Sequence, residues 1–341
     1  MPASPPAPIR CSEVWGGNHA VEIPLDLPGL DGWIISRPYH GDDAGGDVHL
    51  VSSCGTGRIT RVLLADVSGH GQAVATISSR LRAHMQRYLN HIQPRRLAAG
   101  LNRDMLKLAG DTGQFATAII CTYFSPTGQL TVCNAGHPTP MLYRRATRRW
   151  TLIDQPDKVH DIQNLPLGVV ESSGYVGRRV TMELGDVAIF YTDCLSEARV
   201  RDQGDMLGVQ GLMQNIAEAP DDALHAPPPV LLESLLETLR QQQYEWDDDL
   251  TMVVLRCTHR SRGRGVRAFF EGLGRAFRSL FSREPVPWPD LSWANVSQEL
   301  FHNWRRPQPA TPAAPPLDAG PNPPAPPPPP GPPPGPPPGT R

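Results

Sequence analysis

Four aspartates stand where apolar runs meet loops. Asp47 opens DVHLVSSC, Asp66 closes RITRVLLAD, Asp193 closes VAIFYTD, and Asp248 precedes LTMVVLRC with Asp249 beside it. A carboxylate at such a junction is half in the core, where an unpaired charge is costly. No cationic residue adjoins any of the four in the sequence. Converging acids without partners call for hard divalent cations held by oxygen ligands. Two such ions about 4 Å apart form a hydrolytic site that activates water and clamps a phosphate. Gly45-Gly46 and Gly69-His70-Gly71 let the backbone approach the cluster without Cβ clashes. The backbone carbonyl of Val67 is free to act as a further ligand.

The elements that must hold these acids are legible. DGWIISRP reads as a strand ending at Pro38, and DVHLVSSC with RITRVLLADVSG as a hairpin around Gly55 to Gly57. Val74, Ile77, Leu81, Met85 and Tyr88 recur on one helix face. A second helix follows from Pro94 and stops at Gly110. QFATAIICTYF and GQLTVCNAG read as strands joined by the turn at residues 125–128. TPMLYRR and RRWTLI read as two more, and RRVTMEL with VAIFYTD as a hairpin around Gly185-Asp186. Helices are predicted at 205–218 and 230–243, then a last strand ending near Cys257. Blocks of hairpin-linked strands separated by helices predict an α+β fold with antiparallel sheets.

Composition limits the alternatives. The 341 residues carry a net charge of −2, which gives no basis for nucleic-acid binding. No apolar run of about eighteen residues predicts a transmembrane segment, and the N-terminus lacks a signal-peptide pattern. Cys11, Cys54, Cys121, Cys133, Cys194 and Cys257 form no C-x-x-C pair and read as reduced core residues of a cytoplasmic protein. The 39 prolines crowd the two ends.

Six stretches occur in order: GGD at 45–47, ADVSGHG at 65–71, FAT at 115–117, NAGHPTPML at 134–142, YTDCLSEAR at 191–199 and DDLTMVVLR at 248–256. Together they resemble the PPM-type, SpoIIE-like serine/threonine protein phosphatases of bacteria. The resemblance implies a sandwich of two antiparallel β-sheets flanked by helical layers. It also implies two Mn2+ or Mg2+ ions and hydrolysis of phosphoserine or phosphothreonine by activated water. Carried over, Asp66 bridges both ions, Val67 gives its carbonyl, and Asp47, Asp193 and Asp248 complete the shells, with Asp249 behind them. Arg37 is the candidate phosphate clamp. His70 is the candidate proton donor to the leaving alkoxide, against a role in shaping its loop. His137 reads as turn architecture, His40 and His49 as bystanders, and Asp42 and Asp43 as solvated loop acids.

The sequence departs from the family pattern in three places. Val48-His49-Leu50 replaces the usual aromatic pair and acid, which also excludes a diguanylate cyclase signature. Cys194 stands where glycine is common, and the loop from Arg37 to Asp47 is longer than usual.

The predicted organisation is a Pro-rich lead-in at 1–27, the phosphatase domain at 28–257, a linker and amphipathic helix at 258–306, and a Pro-rich disordered tail at 307–341. The helix sets Phe269, Phe270, Leu273, Phe277, Leu280 and Phe281 on one face, suited to packing on the catalytic domain, a partner or a membrane surface. The tail suits an aromatic-lined groove. The expected partner is a phosphoprotein substrate such as an anti-sigma-factor antagonist. The alternative is a non-catalytic scaffold that binds phosphoproteins through a phosphatase-like fold.

Overall fold

Two sheets share the apolar strands of this computed structural model, which describes residues 7–8, 14–39, 44–53, 58–69, 72–88, 93–110, 113–153, 163–171, 173–201, 204–218 and 227–259. The strands are β1 (Ala7–Pro8), β2 (Val14–Gly17), β3 (Val21–Leu27), β4 (Leu30–Arg37), β5 (Asp47–Ser53) and β6 (Ile59–Val67). Helices α1 (Gln72–Tyr88) and α2 (Pro94–Ala109) follow, then β7 (Ala116–Phe124), β8 (Gln129–Ala135), β9 (Met141–Arg144), β10 (Arg149–Leu152), β11 (Gly177–Thr181) and β12 (Val187–Tyr191). The chain continues through β13 (Arg199–Val200), α3 (Gly208–Glu218), α4 (Pro228–Gln241), β14 (Tyr244–Glu245) and β15 (Leu250–Cys257).

One sheet runs β1-β3-β4-β15-β12-β9-β10 and the other β11-β8-β7-β6-β5-β2. All pairings are antiparallel except that of the two-residue β1 with β3. Period-two alternation sends every second side chain into the gap between the sheets. There Ile34, Val51, Leu64, Ile119, Phe190 and Val253 form the central apolar layer. The outer face of the second sheet is covered by α1 and α2 through Leu63, Ala65, Leu81 and Leu101. The outer face of the first is covered by α3 and α4 through Ile35, Ile189, Leu212 and Leu235. Layering is therefore α-β-β-α, as expected. Among the described residues no helix is long and apolar enough to cross a membrane.

Two local expectations are corrected. The loose lead-in is already strand: β2 pairs with β5, and β3 pairs along its whole length with β4. Pro24 hides that strand in the sequence, yet it lies near the sheet edge, where a missing N–H is tolerated. RRVTMEL and VAIFYTD do not form a hairpin. β11 pairs with β8 in one sheet while β12 pairs with β15 and β9 in the other. Gly185-Asp186 lies where the chain crosses from one sheet to the other. The helical extension and Pro-rich tail expected after residue 258 lie outside the described residues.

That crossing is held by a buried acid. Asp186 accepts hydrogen bonds from Arg144 Nη1 at 2.8 Å, Arg145 N at 3.0 Å and Glu183 N at 2.9 Å. Its side chain is 2% exposed. Truncating Asp186 takes one partner from the partly exposed Arg144 guanidinium, which keeps Thr181 O, and leaves the Arg145 and Glu183 N–H groups unmatched, a loss of about 2 kcal/mol. Asp186→Ala should therefore lower the unfolding free energy by that amount, read as a lower urea midpoint at an unchanged m-value.

Candidate metal centre

Toward one end of the sandwich the inward-facing rows change from apolar to polar. Asp47 lies directly opposite Asp66 in the β5–β6 register, and Asp66 lies opposite Thr117 on β7. From the facing sheet Ser36, Thr251 and Thr192 continue the alternation of Ile34, Val253 and Phe190. The sheets are joined here by a hydroxyl chain. Ser36 Oγ and Thr251 Oγ1 are 3.0 Å apart, Thr251 N donates to Thr192 Oγ1 at 2.9 Å, and Thr192 Oγ1 donates to Asp47 Oδ2 at 2.9 Å. Asp193 follows Thr192 in a short 3-10 turn. Asp248 lies in the loop before β15, and Cys194 Sγ donates to its carbonyl at 3.4 Å. Asp47, Asp66, Asp193 and Asp248, expected together from the sequence, thus meet at one edge.

Asp249 does a different job. Its Oδ1 accepts from Tyr39 N at 2.7 Å, and its Oδ2 from Gly46 N at 2.5 Å and Asp47 N at 3.4 Å. The carboxylate thereby fixes the backbone that delivers Asp47. Gly45 is required by this contact, because a Cβ there would lie 2.3 Å from Asp249 Oδ2. The loop is further tied by Asn18, whose carbonyl accepts from Gly45 N at 2.8 Å, and by Ser78 Oγ donating to Gly46 O at 2.9 Å.

The electrostatics are one-sided. Burial first, then the charges of Asp193, Asp248, Asp249 and Glu197, push the Asp66 carboxyl up to about 8. Burial and then Asp66 raise Asp47 well above the carboxylate range, although Thr251 and Thr192 oppose this. Burial, Glu197 and Asp248 push Asp193 up to about 6. Burial also raises Asp248. With its carboxyl pushed to about 8, holding Asp66 ionised at pH 7 in the folded metal-free protein costs roughly 1.4 kcal/mol. A concentration of hard oxygen donors with no counter-cation among the described residues fits divalent ions in kind and in charge. Among the described residues, however, no three acidic, histidine or cysteine side chains are already drawn into a coordination sphere.

Other candidates separate from the cluster. Arg37 shares the outward parity of Ile35, and its guanidinium binds Glu22 at 3.3 Å and Glu233 of α4 at 2.6 Å. It is thus engaged on the helix-covered face rather than at the acids. His70, His40, Asp42 and Asp43 lie outside the described residues. His137 is turn architecture: its N–H and C=O are bound by the Asn134 side chain at 2.7 Å each, and its Nδ1 lies 2.8 Å from Thr117 Oγ1. Burial pushes its imidazole down to about 3, so it is neutral. His49, on the face of Asp47, is likewise neutral, pushed down to about 4 by burial, Arg82 and His19. Cys194 is 3% exposed and burial raises its thiol, so it is not a reactive thiolate. Thr192 and Glu197 were missed, although both lie in the quoted stretch YTDCLSEAR.

The family model for Stage II sporulation protein E (SpoIIE) matches residues 56–258, beginning after Asp47. Solved structures with the same fold include the RsbU and RsbW domains of Rv1364c from Mycobacterium tuberculosis, at 22% identity and a TM-score of 0.56. That alignment covers 70% of this chain and 64% of the other, so this chain spans under two thirds of that relative. The SiaA-PP2C domain of Pseudomonas aeruginosa is 17% identical, with a TM-score of 0.54 over 66% of this chain and 85% of that one. The PP2C phosphatase domain of Bacillus subtilis SpoIIE, with a fragment of its regulatory domain, is 16% identical, with a TM-score of 0.54 over 67% and 64%. At these identities the likeness shows the fold. None of the curated proteins matches the chain.

The raised carboxyls set a pH dependence. The folded metal-free protein retains protons on Asp66 and Asp47 that the unfolded chain gives up above about pH 4. Above that point the folded state binds more protons, so its stability falls as pH rises toward 8. In chelator, Tm should fall from pH 5 to pH 8, and the slope should shrink in Asp66→Asn. Added Mg2+ or Mn2+ should raise Tm more at pH 8 than at pH 5.

Proposed function

Because the chain belongs to the SpoIIE family of PPM-type phosphatases, we propose that it is a metal-dependent protein phosphatase acting on phosphoserine or phosphothreonine. The supporting observation is the uncompensated acid cluster of Asp47, Asp66, Asp193 and Asp248 at the polar end of the inter-sheet gap. These four carboxylates and the Val67 carbonyl would hold two Mn2+ or Mg2+ ions. When bound, such ions supply Lewis-acid polarisation of phosphate oxygens and activation of water.

The chain's own residues do the rest. Asp249 sets the position of the Gly46 and Asp47 backbone before any ligand arrives. Thr192 orients the Asp47 carboxylate by donating to Oδ2. The buried threonine and serine row closes the inner side of the site. Burial lowers the local dielectric and strengthens each charge interaction made there. Arg37, held by two glutamates, is not assigned to phosphate binding, and His70 remains a proposal as proton donor.

RsbU and RsbW domains in the Mycobacterium relative support a role in partner switching, with an anti-sigma-factor antagonist as the substrate class. A cytoplasmic location fits that role. Residues 258–306 and the Pro-rich tail are proposed as the partner-docking parts, outside a phosphatase domain that begins at β2 and ends near Cys257.

Asp66→Asn and Asp193→Asn should each abolish Mn2+-dependent hydrolysis of p-nitrophenyl phosphate, by at least about a hundredfold, with the far-ultraviolet circular dichroism unchanged. Full activity in both variants refutes the assignment. Saturable phosphopeptide binding by the wild type without turnover favours the scaffold instead.

A further inference from the structure

The inward face that carries Asp47, Asp66 and Thr117 continues one step beyond the sheet. Along β7, Thr117, Ile119 and Cys121 face the opposing sheet, whereas Ala116 and Ala118 face the α1–α2 layer. Phe115 keeps the parity of Thr117, the register partner of Asp66, and remains 38% exposed. Its backbone is firmly tied to the loop that follows Asp66. Ser68 N donates to Phe115 O at 2.9 Å, and Phe115 N donates to Ser68 Oγ at 3.0 Å.

A second apolar residue is held alongside. Ala116 and Leu167 exchange backbone hydrogen bonds of 2.9 and 2.7 Å, which brings residues 167–171 against the start of β7. Buried Asn102 of α2 clamps that loop, accepting from Gly168 N at 2.8 Å and donating to Val170 O at 2.9 Å. Gly168 adopts φ +91, and a Cβ there would meet Met105 Cγ at 2.8 Å, so the loop shape is specific. Between these anchors Val169 is 48% exposed. Single exposed apolar residues are ordinary. Phe115 differs because its backbone is fixed against the loop that follows Asp66, with Val169 in the loop bridged to the start of β7, the arrangement expected of a contact surface.

We propose that Phe115, with Val169 beside it, is a docking ledge for an apolar side chain flanking the phosphorylated residue of a protein substrate. The proposal rests on the phosphatase reading above. Phe115 offers neither charge nor hydrogen bond, so what it selects is apolar area removed from water. Substrate choice is then set by sequence beside the phosphate as well as by the phosphate itself.

The test uses the full chain, p-nitrophenyl phosphate, and phosphoserine peptides that differ only in carrying Leu or Ser at each flanking position. The wild type should prefer Leu at one flank by about tenfold in kcat/KM, the scale of burying one such side chain. Phe115→Ala should lose that preference while keeping kcat/KM for p-nitrophenyl phosphate and the wild-type Tm. Phe115→Leu should keep most of it, and Val169→Ser should lose part. Equal rates for Leu and Ser flanks, or a preference that survives Phe115→Ala, overturns the ledge alone. No hydrolysis of p-nitrophenyl phosphate by the wild type removes the phosphatase reading, and the ledge with it.

Discussion

Mutual repulsion among buried carboxylates is the constraint around which this end of the molecule is built. Asp47 and Asp66 face each other across adjacent strands, and Asp193 and Asp248 reach them from the opposing sheet. Burial and neighbouring negative charge raise all four. Left alone, such a cluster relaxes by protonation or by opening the sheet edge. Here the surrounding residues hold it in place. Asp249 gathers three backbone N–H groups, Thr192 bridges the sheets to Asp47, and Gly45 leaves room for the Asp249 carboxylate. The free energy to hold it comes from the three apolar layers beneath.

Neither sheet contains the whole site. The second sheet carries Asp47 and Asp66, while the first carries the ends from which Asp193 and Asp248 extend. The site therefore exists only when the sandwich is closed. Polar contacts join the two sheets at two places: Thr192 to Asp47 at the site, and Arg144, held by Asp186, to Thr181 O where the chain passes between sheets. An apolar interface alone tolerates small slippage, whereas directional hydrogen bonds fix register.

Much of this was legible in the sequence because each element carries a local signal. Alternation marked β4 to β8, Pro94 and Gly110 bounded α2, and acids at strand ends marked the cluster. What was not legible depends on tertiary pairing. β3 was obscured by Pro24, whose tolerance depends on its place near the sheet edge. β11 and β12 read as a hairpin because proximity in sequence does not reveal that they join different sheets. Arg37 read as a phosphate clamp by position, but its parity with Ile35 turns it toward Glu233. Thr192 and Phe115 gave no signal beyond lying in recognisable stretches, since their roles follow from which face of the sandwich they share.

The central claim is that the acid cluster is a divalent-metal site whose carboxyls carry protons when empty. Its most direct test is a calorimetric titration of Mn2+ into the metal-free protein near pH 7, repeated in buffers of different ionisation enthalpy. The account predicts saturable binding of two ions with net proton release, and diminished release in Asp66→Asn. Absence of saturable binding, or binding without proton release, contradicts it.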